Sequence, residues 1–248
     1  MRPLLAVWRL LRAVSHVLHG MAVMTRFPSL DAAGRQQRIQ WWSAKLLRTM
    51  GLALRTSGTL RPGATLIVAN HVSWLDIAAI HAVAPQARFV SKADVLHWPL
   101  IGWLVKGAGT IFIERERKRD ALRVVHQMAE SLTDGDTVAV FPEGTTTDGR
   151  ELLPFHANLL HAAVTTGTPV QPVALRYADA THAISPAAEY IGDTSLAQSL
   201  WRIASARGLV VHVDLLPAQD SRHADRRALA QLLREQIEAA LAAGDKRV

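Results

Sequence analysis

The chain has 248 residues, of which 49% are hydrophobic and 20% charged, as in one globular domain with room for a substantial core. It contains no cysteine, which excludes disulfides, thiolate metal sites and a cysteine nucleophile and fits a reducing compartment. Its net charge of +7 is concentrated at one end, because residues 1–64 hold ten basic residues and one acid, Asp31, whereas residues 65–248 carry eighteen basic and twenty acidic ones.

Residues 1–62 are predicted to form a basic, amphipathic, membrane-associated arm of two helices. The first apolar segment, residues 4–24, is interrupted by polar side chains at spacings of three and four residues that share one stripe of a helix: Arg9, Arg12, His16 and His19. A second basic segment, residues 35–55, carries Trp41 and Trp42 and repeats this pattern.

This arm is expected to lie in a membrane interface rather than to cross the bilayer. Arg9 and Arg12 would be costly at the centre of a bilayer, and the longest uncharged stretch, residues 13–25, is too short for a span. Trp and Leu would lie in the lipid and arginines among anionic headgroups, so anionic membrane lipids are expected partners. Packing of the arm on the protein's own core is the alternative. Nucleic acid is not expected as a partner, because arms that bind it are usually more polar.

Residues 63–248 are predicted to form one α/β domain with a mostly parallel central sheet flanked by helices. Short apolar runs rich in β-branched residues predict buried strands at 65–70, 87–92, 109–115, 136–142, 168–175 and 209–216. Helical patterns are found at 74–84, 98–106, 117–132, 155–166 and about 225–243, the last ended by Gly244. Because strands and helices alternate, a largely parallel sheet is favoured.

The stretch NHVSWLD, residues 70–76, joins a predicted strand to a predicted helix. Ser73 and Asp76 have the spacing of a capping box, in which case Asp76 would only stabilise the helix start and His71 would have no role. Alternatively, the chain folds back between strand and helix, so that the Asp76 carboxylate reaches one nitrogen of His71. That pairing would fix the imidazole tautomer and leave the other nitrogen to take a proton from a hydroxyl. The chain has no G-x-S-x-G motif, so the base would act directly on an alcohol substrate.

Three further motifs follow in order: GTIFIER at 109–115, FPEGTTTDG at 141–149 and VQPVAL at 170–175. Together with NHVSWLD, this series resembles the glycerolipid acyltransferase family, whose best-known members are the lysophosphatidic acid acyltransferases. The resemblance implies a 1-acylglycerol-3-phosphate O-acyltransferase-like enzyme that moves a fatty acyl group to the free hydroxyl of a lysophospholipid. The implied donor is a thioester of acyl carrier protein or coenzyme A. The implied location is the cytoplasmic face of the inner membrane.

The resemblance also implies roles for individual residues. His71 would be the general base, Asp76 would orient it, and Arg115 would bind the anionic head of the acceptor. The other residues implied to bind substrate are Asn70, Ser73, Lys92, Phe141, Pro142, Glu143, Gly144, Thr145, Thr146 and Pro172. No metal and no tightly bound cofactor are implied, since acyl-CoA or acyl-ACP is a co-substrate.

One position departs from the family pattern. Many members have arginine directly after F-P-E-G-T, where this chain has Thr146. The planar guanidinium of arginine matches phosphate oxygens, so its absence weakens lysophosphatidic acid as the acceptor. Lyso-ornithine lipid, or another lyso-lipid without a terminal phosphate, is therefore an alternative acceptor. A non-catalytic membrane-binding protein is the alternative from another functional class.

Overall fold

The computed structural model describes residues 2–93, 95, 101–107, 109–113 and 118–245. The predicted pair of N-terminal helices is present, with α1 at Arg2–Met24 and α2 at Ala32–Met50, joined by a 3-10 turn at Phe27–Ser29. Asp31 begins α2, because its carboxylate accepts a backbone N–H of the first turn at 2.8 Å. Gly51 ends α2 in the left-handed conformation that glycine adopts without strain.

A seven-stranded sheet forms the centre of the protein and confirms the predicted α/β fold. Its strands are β1 (Leu52–Gly58), β2 (Thr65–Ala69), β3 (Ala87–Lys92), β4 (Ile111–Ile113), β5 (Thr137–Val140), β6 (Val170–Ala178) and β7 (Leu209–Leu215). The order across the sheet is β1-β7-β6-β2-β5-β3-β4. Every neighbouring pair is parallel except β6 with β7, so the sheet is mostly parallel, as predicted.

Helices cover both faces of this sheet. They are α3 (Leu75–Val83), α4 (Ile101–Gly107), α5 (Lys118–Thr133), α6 (His161–Thr166, preceded by a 3-10 turn), α7 (Leu196–Ser205) and α8 (Arg226–Asp245). Ile67 and Ala69 of β2 pack in a hydrophobic cluster with α1, α2, α3 and α7, whereas Leu66 and Val68 pack in a second cluster with α5, α6 and α8. Because both faces are covered, the carboxyl ends of the parallel strands are the edge where a site can form.

Two elements were not predicted from the sequence, β1 and α7. The basic segment was expected to stay helical to residue 55, but Gly51 has a φ of 89° and the chain continues as a strand parallel to β7. The arm of residues 1–62 therefore contains a strand of the sheet as well as two helices. The prediction that Gly244 ends α8 is also wrong, because the helix continues through it. A Cβ at this position would lie 3.1 Å from Nε of Arg176, so glycine leaves room for that side chain.

Helix α1 exposes a row of large apolar residues. The exposed large apolar side chains on it are Leu4, Val7, Trp8, Leu11, Val14 and Leu18. Arg9 points inward and donates to the carbonyl oxygens of Ala204 and Ala206, at 3.0 and 2.6 Å, at the C-terminal end of α7. The expectation that Arg9 lies among lipid headgroups is therefore wrong, since helix-end carbonyls already neutralise part of its charge. In the part of the chain that the structure describes, no helix is both long enough and apolar enough to cross a bilayer.

Candidate active site

The turn between β2 and α3 brings His71 and Asp76 together. Nδ1 of His71 lies 2.8 Å from Oδ2 of Asp76, so the chain folds back as the second interpretation of this stretch requires. The imidazole is 20% exposed and the carboxylate is fully buried. Among the residues that the structure describes, none hydrogen-bonds Nε2 of His71. An imidazole whose Nδ1–H donates to a carboxylate presents Nε2 as a proton acceptor.

Asp76 accepts four hydrogen bonds, three from this turn and one from β6. Oδ2 accepts from the backbone N–H groups of Val72 at 2.7 Å and Ser73 at 2.9 Å as well as from His71. Oδ1 accepts from the hydroxyl of Tyr177 on β6 at 2.7 Å. Burial and the negative charge of Asp76 raise the pKa of Tyr177 well above its usual value, so this phenol is the donor.

Only half of the predicted capping box is formed. Asp76 accepts the N–H of Ser73, as in a capping box, but the Ser73 hydroxyl is buried and has no partner among the described residues. The residue that caps α3 is Trp74, whose side chain makes no capping hydrogen bond. Asp76 therefore stabilises the helix start and binds the imidazole at the same time, so the two interpretations of this stretch are compatible.

The ring of Phe141 lies flat against the imidazole. The two ring centroids are 4.1 Å apart and the planes differ by 9°, and Phe89 of β3 stacks behind Phe141 at 5.8 Å. Phe141 directly follows β5, the strand beside β2, so its position is set by the sheet. The stacking restricts rotation of His71 about its Cβ–Cγ bond and keeps Nδ1 directed at Asp76.

Glu143 holds the backbone of the turn between β2 and α3. Its Oε1 accepts the N–H of His71 at 2.7 Å, and its Oε2 accepts the N–H of Leu153 at 3.0 Å. Burial raises the pKa of Glu143, although these two N–H groups act in the opposite direction. The N–H of Thr147 in the same loop donates to the His71 carbonyl at 2.8 Å. Both backbone groups of His71 are thus bound by the segment that follows β5.

Asn70 and Pro172 are buried in the sheet beneath the turn. The side-chain amide of Asn70 donates to the carbonyl of Leu175 at 2.9 Å and accepts a hydrogen bond from the N–H of Leu175 at 2.7 Å. This side chain thereby continues the hydrogen bonding between β2 and β6 beyond the end of β2. Pro172 lies opposite Val68 in the same ladder, and its carbonyl accepts the N–H of Leu216 at 3.0 Å. These contacts fix where the turn between β2 and α3 leaves the sheet.

The other predicted residues lie on the loop after β5 or outside the described part of the site. Pro142 is buried and accepts the N–H of His156 at 2.9 Å, and Gly144 has a φ of 74°, which favours glycine. Thr145 is exposed, whereas the Thr146 hydroxyl donates to the carbonyl of Tyr190. The backbone of Lys92 pairs with β4, but its side chain lies outside the described residues, as does Arg115.

Sequence reasoning missed Tyr177, Thr147 and Tyr190. Tyr177 could have been suspected because a tyrosine in an apolar strand must find a partner for its hydroxyl. No sequence signal marks Thr147 or Tyr190, which contribute backbone groups: the N–H of Tyr190 donates to the Val72 carbonyl at 3.2 Å. Among the described residues, no three His, Asp or Glu side chains are close enough to hold a metal ion.

Comparisons with known proteins identify the family of the chain. A family model described as Acyltransferase matches residues 53–176, which contain the whole described site except Tyr177 and Tyr190. The chain is 39% identical to a lyso-ornithine lipid O-acyltransferase of Pseudomonas aeruginosa, over 89% of this chain and 85% of that protein. It is also 39% identical to a 1-acyl-sn-glycerol-3-phosphate acyltransferase of Neisseria meningitidis, over 78% of this chain and 75% of that protein.

A solved structure shares the fold over the whole length. The crystal structure of the 1-acyl-sn-glycerophosphate acyltransferase PlsC from Thermotoga maritima superposes with a TM-score of 0.77 and 20% identity, covering 100% of this chain and 99% of that one. The family match, the extent of the relatives and the shared fold all agree, and the chain therefore belongs to the acyltransferase family of enzymes.

Proposed function

We propose that the protein transfers a fatty acyl group from a thioester to the free hydroxyl of a lyso-lipid, with His71 as general base. Nε2 of His71 takes the hydroxyl proton while the oxygen attacks the thioester carbonyl carbon. The tetrahedral intermediate then collapses, the carbon–sulfur bond breaks, and the thiolate takes the proton back from His71. The products are an ester and a free thiol of coenzyme A or acyl carrier protein, the two candidate donors.

The observation that carries this proposal is the pairing of Nδ1 of His71 with a fully buried Asp76, in an imidazole that is 20% exposed and whose Nε2 has no hydrogen-bond partner among the described residues. Asp76 holds the proton on Nδ1 and stabilises the positive charge that forms on the imidazole during transfer. A histidine that only stabilised the fold would not need a partly exposed ring beside a carboxylate with three further donors.

The acceptor is proposed to be a lyso-lipid without a terminal phosphate, such as lyso-ornithine lipid. Thr146 replaces the arginine that would bind phosphate, and its hydroxyl is already bonded to the Tyr190 carbonyl. Arg150 is the next basic residue after Thr146 in the sequence. Its side chain is exposed, and its Nε lies 3.6 Å from Oδ2 of Asp148. Lysophosphatidic acid is the second candidate, because the Neisseria relative is named for that substrate class and the family resemblance implies Arg115 as a ligand of an anionic head.

The enzyme is proposed to work at the cytoplasmic face of the inner membrane, with the outer face of α1 buried in anionic lipid. The exposed apolar row on α1 includes Leu4 at 76% and Leu11 at 66% of their free area, and such a row suits a membrane interface. Two cations stack on tryptophans of the arm, Arg12 on Trp8 at 4.4 Å and Lys45 on Trp41 at 4.6 Å. These charges would lie at the level of the headgroups.

The test is acyl transfer to a panel of lyso-lipids by the purified protein and by a His71→Ala variant. Loss of a general base lowers kcat by about a hundred- to ten-thousand-fold, and we expect a loss of this size with the melting temperature unchanged within a few degrees. His126→Ala is the matched control, since His126 is exposed on α5, a helix that packs on the face of the sheet opposite to α3. A folded His71→Ala protein with near-normal turnover would refute the mechanism, and preference for lysophosphatidic acid would refute the acceptor.

A further inference from the structure

Tyr177 is a buried tyrosine whose hydroxyl ends at the catalytic pair. It lies near the end of β6, its side chain is 1% exposed, and its hydroxyl donates to Oδ1 of Asp76 at 2.7 Å. The three other donors to this carboxylate, from residues 71–73, all bind Oδ2. In the described residues, Tyr177 is therefore the sole donor to Oδ1.

The position of Tyr177 on β6 links both ends of the catalytic turn to one strand. Leu175, two residues earlier, binds the side chain of Asn70 at the start of the turn through its N–H and carbonyl groups. Tyr177 binds Asp76 at the end of the turn. Leu175 and Tyr177 belong to the same hydrophobic cluster, so their side chains lie on the same face of the sheet.

A donor on Oδ1 matters because a carboxylate can rotate. Without a donor on Oδ1, rotation of the Asp76 carboxylate could exchange the oxygen that faces Nδ1 of His71. If the carboxylate did not rotate, Oδ1 would lie in the interior without a partner, which is costly for a charged atom. Tyr177 remains protonated throughout the working range, because burial and Asp76 hold its pKa far above neutrality. Its hydrogen bond is therefore present at every pH at which the enzyme works.

We propose that Tyr177 is a positioning residue for acyl transfer, which holds Asp76 so that the proton stays on Nδ1 of His71 and Nε2 stays free to accept one. This inference rests on the proposed roles of His71 and Asp76. Glu143, a further titratable group at the turn among the described residues, binds the backbone N–H groups of His71 and Leu153 and cannot replace the phenol at Oδ1.

The test is a Tyr177→Phe variant, which keeps the ring and removes only the donor. Loss of a hydrogen bond to a charged group lowers kcat by about 10- to 100-fold, and we expect KM for the lyso-lipid to change by less than about twofold. Without the donor, the Asp76–His71 pair takes up a proton more readily. The acid limb of the pH–rate profile should therefore move to higher pH by roughly half a unit or more.

The matched control is Leu132→Ala, which removes buried volume from the cluster on the opposite face of the sheet. It is expected to lower thermal stability but leave the pH–rate profile unchanged. A Tyr177→Phe enzyme with wild-type kcat, or with a lower kcat but the wild-type acid limb, would overturn the inference. If His71→Ala stays active, the proposed mechanism itself is wrong, so the two failures are distinguishable.

A second measurement covers the case in which Tyr177→Phe does not fold. The chain has two tyrosines, so 3-fluorotyrosine incorporated into a Tyr190→Phe background labels position 177 alone. Fluorination makes the phenol a stronger donor without removing it, and the acid limb should move to lower pH than in the unlabelled Tyr190→Phe enzyme. An unchanged acid limb in this comparison would also overturn the inference.

Discussion

Replacing Glu143 by glutamine changes one oxygen of a buried side chain into an NH₂ group. The carboxylate accepts the N–H of His71 at 2.7 Å and the N–H of Leu153 at 3.0 Å. The glutamine oxygen can accept only one of these groups, and its NH₂ must face the other donor. Because Glu143 is 4% exposed, water cannot easily satisfy the backbone N–H that loses its acceptor.

The size of the effect follows from these two contacts. A buried N–H left without an acceptor costs about 1–3 kcal/mol, and the remaining hydrogen bond loses the benefit of a charged acceptor, about 1 kcal/mol more. Burial raises the pKa of Glu143, which means that burying its charge is unfavourable, and removing that charge offsets part of the loss. We therefore expect Glu143→Gln to lower the free energy of unfolding by roughly 2 kcal/mol. It should also lower kcat by about 10- to 100-fold, because His71 shifts when its N–H loses its acceptor.

Urea denaturation and steady-state acyl transfer measure the two effects, with Glu151→Gln, an exposed residue of the same loop, as the control. The KM for the acceptor should change little if Glu143 acts on the backbone of His71. A higher acceptor KM with unchanged stability and kcat would instead mean that Glu143 contacts the acceptor, and the reasoning from the two hydrogen bonds would be refuted.

Three further predictions concern the carboxylate of the pair, a buried histidine and the outer face of α1. Asp76→Asn should lower kcat by about a hundred-fold or more. It should also lower the free energy of unfolding by roughly 2–4 kcal/mol, because an amide cannot accept hydrogen bonds from all four donors. A large rate loss without any loss of stability in urea would contradict this. Burial lowers the pKa of His81 to about 4. Between pH 6.5 and 4, the unfolded chain therefore binds a proton at this histidine and the folded chain does not. The free energy of unfolding should therefore fall by on the order of 3 kcal/mol from pH 6.5 to 4. His81→Gln should remove this part of the pH dependence. If the free energy of unfolding falls equally steeply with pH in both proteins, the prediction is wrong. Leu11→Glu should weaken flotation with anionic vesicles while the melting temperature stays constant, and undiminished flotation would argue against the proposed membrane face.

The fold class and the His71–Asp76 contact could be predicted because both depend on local signals. Buried apolar runs mark the parallel strands, and a strand-to-helix turn brings residues five positions apart together. The contact of Tyr177 with Asp76 could not be predicted, because it requires knowing that β6 lies beside β2. The order of strands in a sheet cannot be read from any single segment of the sequence.

Two other differences have equally physical causes. Helical spacing grouped Arg9 and His16 on one stripe of α1, but spacing alone does not say which stripe faces the protein. Here the predicted stripe is divided. Arg9 contacts carbonyl groups at the end of α7 and His16 contacts the carbonyl of Trp42, whereas Arg12 and His19 are exposed. Strand β1 was missed because it continues a basic segment whose helix is ended by one residue, Gly51.

The contact of Arg9 with the end of α7 has a practical consequence for anyone who wants a soluble form of this enzyme. The same helix carries Ser199, whose hydroxyl accepts the indole N–H of Trp74 at 3.1 Å, inside the stretch that joins His71 to Asp76. Truncation before β1 would strip the guanidinium from one end of α7 and uncover the apolar surface on which α1 packs. Replacing the outward row of α1, the proposed membrane face, with polar side chains keeps every inward contact and is therefore preferable to truncation for reducing membrane binding.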